Sequence, residues 1–357
     1  MSQPLLLALS LSLSMSTPAT AQPNDTPLAL LFAGDIMLDD GPGRTIAAGG
    51  DPLAPFDAIL RAADYRIGNL ECPVAAGGAV LQRKLITFRA RPEVLPKLQG
   101  RFDAVSVANK HSGDYGQGAF VETLSHLQQA GINHVGGGSN LAEAHRPLWI
   151  ERKGLKVALL AYNEFKPRSF EAGASWPGIA WSEDSHVVAD IQAARKAGAD
   201  IVIPYMHWGW EYEPKPDGRQ QALAQKMIDA GASAVIGGHP HVTQGASLYR
   251  GKPIIWSLGN FVFDGFESAE PKKGWLARLR LDRKGVVSFD TLQASIDEAG
   301  TPHPTPDAQT PCWQRGQISR PGFEPLSAGR EPSVAAISPT TSIRSSRACR
   351  CTTKSPI

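Results

Sequence analysis

Cysteine is scarce: four occur in 357 residues, Cys72, Cys312, Cys349 and Cys351, and none of them stands in a C-x-x-C metal spacing. Three lie beyond Thr301. A disulfide framework and a thiolate zinc site are therefore excluded as supports of the fold, and Cys72 reads as a small buried residue. No apolar run reaches the roughly 20 residues that a membrane span needs. Basic stripes are also missing from the body of the chain, which argues against nucleic acid as a partner. Gly136-Gly-Gly138 permits a tight turn but lacks the Lys-Ser/Thr that follows it in a phosphate loop.

What is present is apolar enough for one large core or two modest ones, at 42% hydrophobic residues. The formal charge of +2 is carried by the end of the chain, where seven Lys or Arg face three Asp or Glu from Thr301 onward. Met1 to Ala21 has a leucine-rich centre from Leu5 to Leu13 and an A-x-A pattern at Ala19 and Ala21. It reads as a secretory signal peptide, so the expected location is periplasmic or secreted. From Thr301 to Ile357 the periodicity stops and Pro, Ser, Thr and Arg dominate, which predicts a disordered tail after a domain spanning 28–296. Deleting residues 305–357 is expected to leave the fold intact.

Between these ends one pattern repeats: an apolar run of strand length, then a polar residue where packing has no use for one. Leu28 to Ala33 runs into Gly34-Asp35, and Asp64 to Glu71 into Asn69 and Glu71. Phe102 to Ala108 delivers Asn109-Lys110-His111, with Asp114 close behind. Asp200 to Met206 delivers His207 and then Trp208-Gly-Trp-Glu-Tyr212. The run at Ala234 ends in Gly237-Gly238-His239-Pro240-His241, whose glycines are expected to form a sharp turn. Helical spacing lies between the runs, at Phe56–Ala63, Ala119–Gly131, Asp184–Gly198 (capped by the aspartate) and Gln220–Gly231. Hairpins are expected around Gly154, Gly251 and Gly285. The class is thus α/β (α+β), with polar residues gathered where ligands bind in such sheets. His126, His134 and His145 read as structural. Asp35, Glu71, His207, His239 and His241 mix carboxylate and imidazole, a donor set that suits divalent ions, two of which can sit about 3.5–4 Å apart.

Gly34-Asp35-Ile-Met, Asn69-Leu-Glu71, Ala108-Asn-Lys-His111 with Asp114-Tyr-Gly116, His207-Trp-Gly-Trp-Glu-Tyr212, Gly238-His-Pro-His241 and Ser257-Leu-Gly-Asn-Phe261 together resemble the capsule-biosynthesis CapA family, associated with poly-γ-glutamate synthesis. That family is similar in turn to calcineurin-like metallophosphoesterases. The resemblance implies a four-layer sandwich of two β-sheets flanked by helices, and a divalent metal centre (Mn, Zn or Fe; one or two ions). Residue by residue it implies Asp35, Glu71, Asn109, His207, His239 and His241 as metal ligands and His111 as the acid beside the leaving group. Lys110, Asn69 and Asn260 are assigned to substrate. Two departures stand out: Met37 replaces the histidine of an Asp-x-His motif, and Lys110 replaces the middle asparagine of Asn-Asn-His. The implied substrate is an anionic polymer or a phosphorylated carrier, with a membrane-bound capsule synthase as partner. Three readings follow: a phosphoesterase-like hydrolase, a non-catalytic polymer-binding or assembly subunit, or a general extracellular phosphodiesterase or nucleotidase.

Overall fold

Continuous apolar runs make the strands β1 (Leu28–Ile36), β2 (Tyr65–Leu70), β3 (Ala104–Ser106) and β4 (Asn133–Val135) in the computed structural model, which describes residues 26–81, 84–316 and the backbone of 323–325. The middle of the chain adds β5 (Gly137–Gly138), β6 (Leu148–Arg152), β7 (Leu155–Asn163), β8 (Gly178–Ile179), β9 (Ile201–His207) and β10 (Val235–Gly238). Then come β11 (Ala246–Tyr249), β12 (Lys252–Ile255), β13 (Asn260–Val262), β14 (Lys273–Asp282) and β15 (Gly285–Ile296). The last are β16 (Pro302–Thr305), β17 (Cys312–Gln314) and β18 (Phe323–Pro325). The helices are α1 (Asp40–Ala47), α2 (Asp57–Arg61), α3 (Leu95–Leu98), α4 (Gly116–Gln129), α5 (Leu141–Ala144), α6 (Asp184–Lys196) and α7 (Gly218–Ala230).

One sheet has the order β16-β15-β14-β1-β2-β3-β4, with β13 also on β1 and β17 also on β15. The second runs β18-β11-β12-β10-β9-β7-β6, and β5 and β8 form a separate ribbon. The two-residue period of a strand sorts the core into layers. In β1, Leu28, Leu30 and Phe32 face the second sheet, while Leu31 and Ala33 face α1 to α4 through Ile46, Leu60, Leu95, Leu98 and Phe120. In β9, Ile201, Ile203 and Tyr205 face the first sheet, while Val202 and Met206 face α6 and α7 through Ile191, Leu223 and Met227. The result is helices, sheet, sheet, helices. Each fully buried Leu, Ile or Phe in these layers contributes about 1.5–3 kcal/mol.

Register then gathers the polar residues. β1, β2 and β3 are parallel, with Asp35 beside Asn69, and β13 runs parallel to β1 with Asn260 on the other side of Asp35. In the second sheet β9 and β10 are parallel, with His207 beside Gly238. The sheets are locked at this end by Tyr205, whose hydroxyl donates to the Ala33 carbonyl at 2.6 Å. Five strand ends therefore converge on one edge.

The expected hairpins around Gly154, Gly251 and Gly285 are β6-β7, β11-β12 and β14-β15. Two expectations need correction. Asp184 is not the cap of α6: Glu183 holds that position without a side-chain bond, and Asp184 instead pairs with Arg219 and Lys226 of α7. The chain does not lose structure at Thr301. β16 and β17 extend the first sheet along β15, and Trp313 is buried against Phe289, because one large aromatic is enough to dock an edge strand that has no other apolar period. The expected signal peptide, residues 1–21, and the tail beyond Gly316 other than 323–325 lie outside the described residues. Among the described residues no helix is long and apolar enough to cross a membrane.

Candidate metal centre

Asp35 is delivered by a strand that can pass close to its neighbour only because residue 34 is glycine: a Cβ there would lie 2.0 Å from the Gly259 carbonyl oxygen. Gly237 does the same job in β10, where a Cβ would meet the Trp256 carbonyl oxygen at 2.0 Å. The glycine pair 237–238 is thus used for close packing inside the strand. The turn that follows is made by His239 and His241 themselves, both with positive φ, at 94° and 58°. Such backbone costs of order 1–3 kcal/mol per residue and persists only where the surroundings over-determine it. Here the His239 N–H donates to Asp35 Oδ2 at 3.3 Å, and the Pro240 carbonyl accepts from Tyr212 N–H at 2.8 Å. Strain held in this way at a polar strand end points to function.

Asp35, Glu71, His207, His239 and His241 come together, each at most 3% exposed. His239 Nδ1 lies 3.1 Å from His207 Nε2, and Glu71 Oε1 lies 3.7 Å from both His207 Nε2 and His241 Nε2. Burial pushes the Asp35 carboxyl up to about 6 although Asn69 donates to it. Burial first, and the neighbouring Asp35 charge second, push Glu71 well above its ordinary range. Burial also holds His207, His239 and His241 well below theirs, so all three imidazoles are neutral at pH 7, the form that ligates metal.

Both Glu71 oxygens and His239 Nε2 are buried without a hydrogen-bond partner. Polar atoms sealed from water in this way are rare, and a buried carboxylate with no donor is costly. Glu71, His207 and His239 each offer a ligand atom within 4.8 Å of the others, as do Asp35, Glu71 and His241. The 3.1 Å between His239 Nδ1 and His207 Nε2, the 3.7 Å from Glu71 Oε1 to His207 Nε2 and to His241 Nε2, and the 3.5 Å from Asp35 Oδ2 to His241 Nδ1 are within the roughly 4.4 Å that two metal–ligand bonds of about 2.2 Å can span. The donors fit a divalent ion. Glu71 and His239 supply the atoms of the Glu71, His207 and His239 group that lack a hydrogen bond, while His207 is engaged at both ring nitrogens, Nδ1 facing Asn69 Nδ2 at 3.3 Å and Nε2 facing His239 Nδ1 at 3.1 Å, so an ion there would replace the His207–His239 contact.

The remaining residues take other positions than expected. Asn69, assigned to substrate, is buried and donates to Asp35 Oδ1 at 2.8 Å, with its Nδ2 3.3 Å from His207 Nδ1. Asn260, also assigned to substrate, is fully buried and sets its Oδ1 2.8 Å from His241 Nδ1. Both brace side chains of the cluster rather than facing a substrate, because the parallel register puts them inside the sheet. Asn109, expected as an amide ligand, turns its oxygen to the His111 N–H at 3.1 Å and the Ser112 hydroxyl at 3.0 Å, and its Nδ2 donates to Asn69. It stands one step behind the centre.

Lys110 lies inside the cluster. Its ammonium pairs with Glu211, donates to His241 Nε2 at 2.9 Å and is 3.8 Å from Glu71 Oε1. His111 is not free: its Nδ1 is 2.6 Å from Asp114 Oδ2, which also accepts from Phe88 N–H at 2.9 Å. A carboxylate can only accept, so Nδ1 carries the hydrogen and Nε2 keeps its lone pair. Burial pushes His111 down to about 4, which leaves it neutral at pH 7.

Three participants were not assigned from the sequence. Glu211 lies within the aromatic run after His207 and groups with His239 and His241; an acid four residues beyond a strand-end histidine was the available signal. Phe165 lies over His239 with centroids 4.0 Å apart, and no pattern marks it. Asp114, three residues after His111, was visible without a role. Met37 is core, fully buried. Cys72 is inert, accepting from Leu38 N–H while burial pushes its thiol up to about 12.

The family described as bacterial capsule synthesis protein PGA_cap matches residues 29–265. The chain is 33% identical over 304 residues to the PGA biosynthesis protein CapA of Bacillus subtilis (strain 168), covering 81% of this chain and 76% of that protein. To the capsule biosynthesis protein CapA of Bacillus anthracis it is 31% identical over 298 residues, covering 79% and 70%. Among solved structures it is similar to the Haemophilus influenzae NAD nucleotidase NadN, with a TM-score of 0.43, 12% identity and coverage of 78% of this chain and 53% of that one. The Thermus thermophilus sulfate thiohydrolase SoxB gives a TM-score of 0.44 and 14% identity, with 76% and 57% covered.

Proposed function

Since the chain belongs to the bacterial capsule synthesis PGA_cap family, we propose that it is an exported metal-dependent hydrolase of that family, cleaving a phosphoester of an anionic polymer or its phosphorylated carrier beside a membrane-bound capsule synthase. The observation that carries this reading is Glu71: a fully buried carboxylate, neither oxygen hydrogen-bonded, facing neutral imidazoles with only the Lys110 ammonium at 3.8 Å to offset its charge. A structural core has no reason to keep such a group; a cation site does.

Glu71, His207 and His239 would hold the ion, with Asp35 beside them. A bound divalent ion supplies Lewis acidity and lowers the pKa of a bound water. The protein's own residues do the rest. Asn69 fixes Asp35 and His207. Phe165, with Trp210 edge-on to it, roofs His239 and keeps water off that side of the centre. His111 is held in place through its Nδ1 by Asp114 and keeps the lone pair on Nε2.

The test is a screen of chromogenic phosphomonoesters and phosphodiesters with the full chain loaded with Mn or Zn. Turnover that depends on added metal and is lost in His207→Ala supports the reading. Metal uptake without turnover on any of them would instead favour the binding or assembly role, for which the ammonium of Lys110 inside the centre is the supporting feature.

A further inference from the structure

The two halves of the cluster are not equivalent, and Lys110 makes the difference. On one side His239 Nε2 and both Glu71 oxygens have no hydrogen-bond partner, and the two rings there, His207 and His239, touch each other through Nε2 and Nδ1 rather than any cation. On the other, His241 is used at both ring nitrogens. Its Nδ1 lies 2.8 Å from Asn260 Oδ1, and an amide oxygen can only accept, so Nδ1 carries the hydrogen. The lone pair on Nε2 then accepts from the Lys110 ammonium at 2.9 Å. The same ammonium pairs with Glu211 and stands 3.8 Å from Glu71 Oε1. Lys110 is only 8% exposed and lies over the Phe165 ring at 5.7 Å, so the chain's own packing holds it there.

We propose that this is a one-ion centre in which the Lys110 ammonium takes the place of a second metal ion, with Glu71, His207 and His239 as ligands and His241 as the lysine's acceptor. The proposal rests on the metal-centre reading above and deepens it. Charge supports it. Asp35, Glu71 and Glu211 supply three carboxylates around the cluster, which one divalent ion and one ammonium balance. A second divalent ion beside Lys110 would leave an excess of two positive charges in a buried space, where uncompensated charge is costly. Sterically, a second ion also needs the His241 lone pair that Lys110 occupies. A covalently attached cation cannot dissociate, so this half of the centre would hold its charge at any metal concentration.

The experiment is elemental analysis of the full chain after reconstitution with Zn and removal of excess metal, on wild type, Lys110→Met, Lys110→Arg and His241→Ala. The expected result is one equivalent in wild type, Lys110→Arg and His241→Ala, and two equivalents in Lys110→Met. Two equivalents in wild type, or one in Lys110→Met, would overturn the inference while leaving the metal centre standing. Loss of the ion in folded His241→Ala would also overturn it, whether or not Lys110→Met folds. No zinc in wild type would remove the metal-centre reading and this inference with it.

Discussion

His207 and His239 sit at the ends of adjacent parallel strands and meet through Nε2 and Nδ1 at 3.1 Å. Neither ring is protonated at neutral pH, because burial holds both well below the ordinary imidazole value. The two neutral rings hydrogen-bond to each other, and the Glu71 carboxylate beside them, which has no hydrogen bond, is the group that a cation would satisfy.

The first prediction follows from that pair. Wild type gains thermal stability on titration with Zn or Mn, by about 2.7 kcal/mol at a free metal concentration 100 times Kd. His207→Ala and His239→Ala each abolish the gain. A thermal-shift titration of the three proteins checks this; equal shifts in all three would contradict it.

The pH dependence of metal binding is set by the carboxylates. The imidazoles are already neutral, so the protons that compete with metal sit on Asp35, pushed up to about 6, and on Glu71, which burial also pushes up. Metal binding must displace them. Apparent affinity therefore rises with pH through about 6 and falls as the pH drops. Calorimetry in two buffers of different ionisation enthalpy should show net proton release near pH 6. Proton uptake would reverse the assignment.

Asp114 is a fully buried carboxylate that accepts from His111, from Phe88 N–H at 2.9 Å and from Lys84 at 2.7 Å. Asp114→Ala strands these donors and should cost about 3–5 kcal/mol. Chemical denaturation measures it, and a loss below about 1 kcal/mol would show that the network is dispensable.

Truncation after Gly300 removes β16 and β17 and should lower Tm by several degrees, and Trp313→Ala alone should cost about 3 kcal/mol. Unchanged melting of the truncated chain would restore the expectation of an unstructured end.

Much of this was legible in the sequence. The apolar runs at Leu28, Asp64, Phe102, Asp200 and Ala234 became parallel strands, and the polar residues at their tips converged because parallel strands end on one edge. What a pattern of this kind cannot show is which way a tip residue turns. Asn109 and Asn260 read the same as Asp35, yet their amides are used up inside the sheet. His239 and His241 look equivalent two residues apart, and the contacts of Lys110 and Asn260 with His241 distinguish them. Trp313 was invisible because docking an edge strand needs a single aromatic and no period.

The most direct test of the metal centre is anomalous scattering from crystals of the full chain grown with Zn, measured on either side of the zinc edge. The structure predicts a peak about 2.0–2.2 Å from a Glu71 oxygen and from one nitrogen each of His207 and His239. A well-ordered crystal with no peak among these three residues, or with zinc bound only elsewhere, would contradict the account.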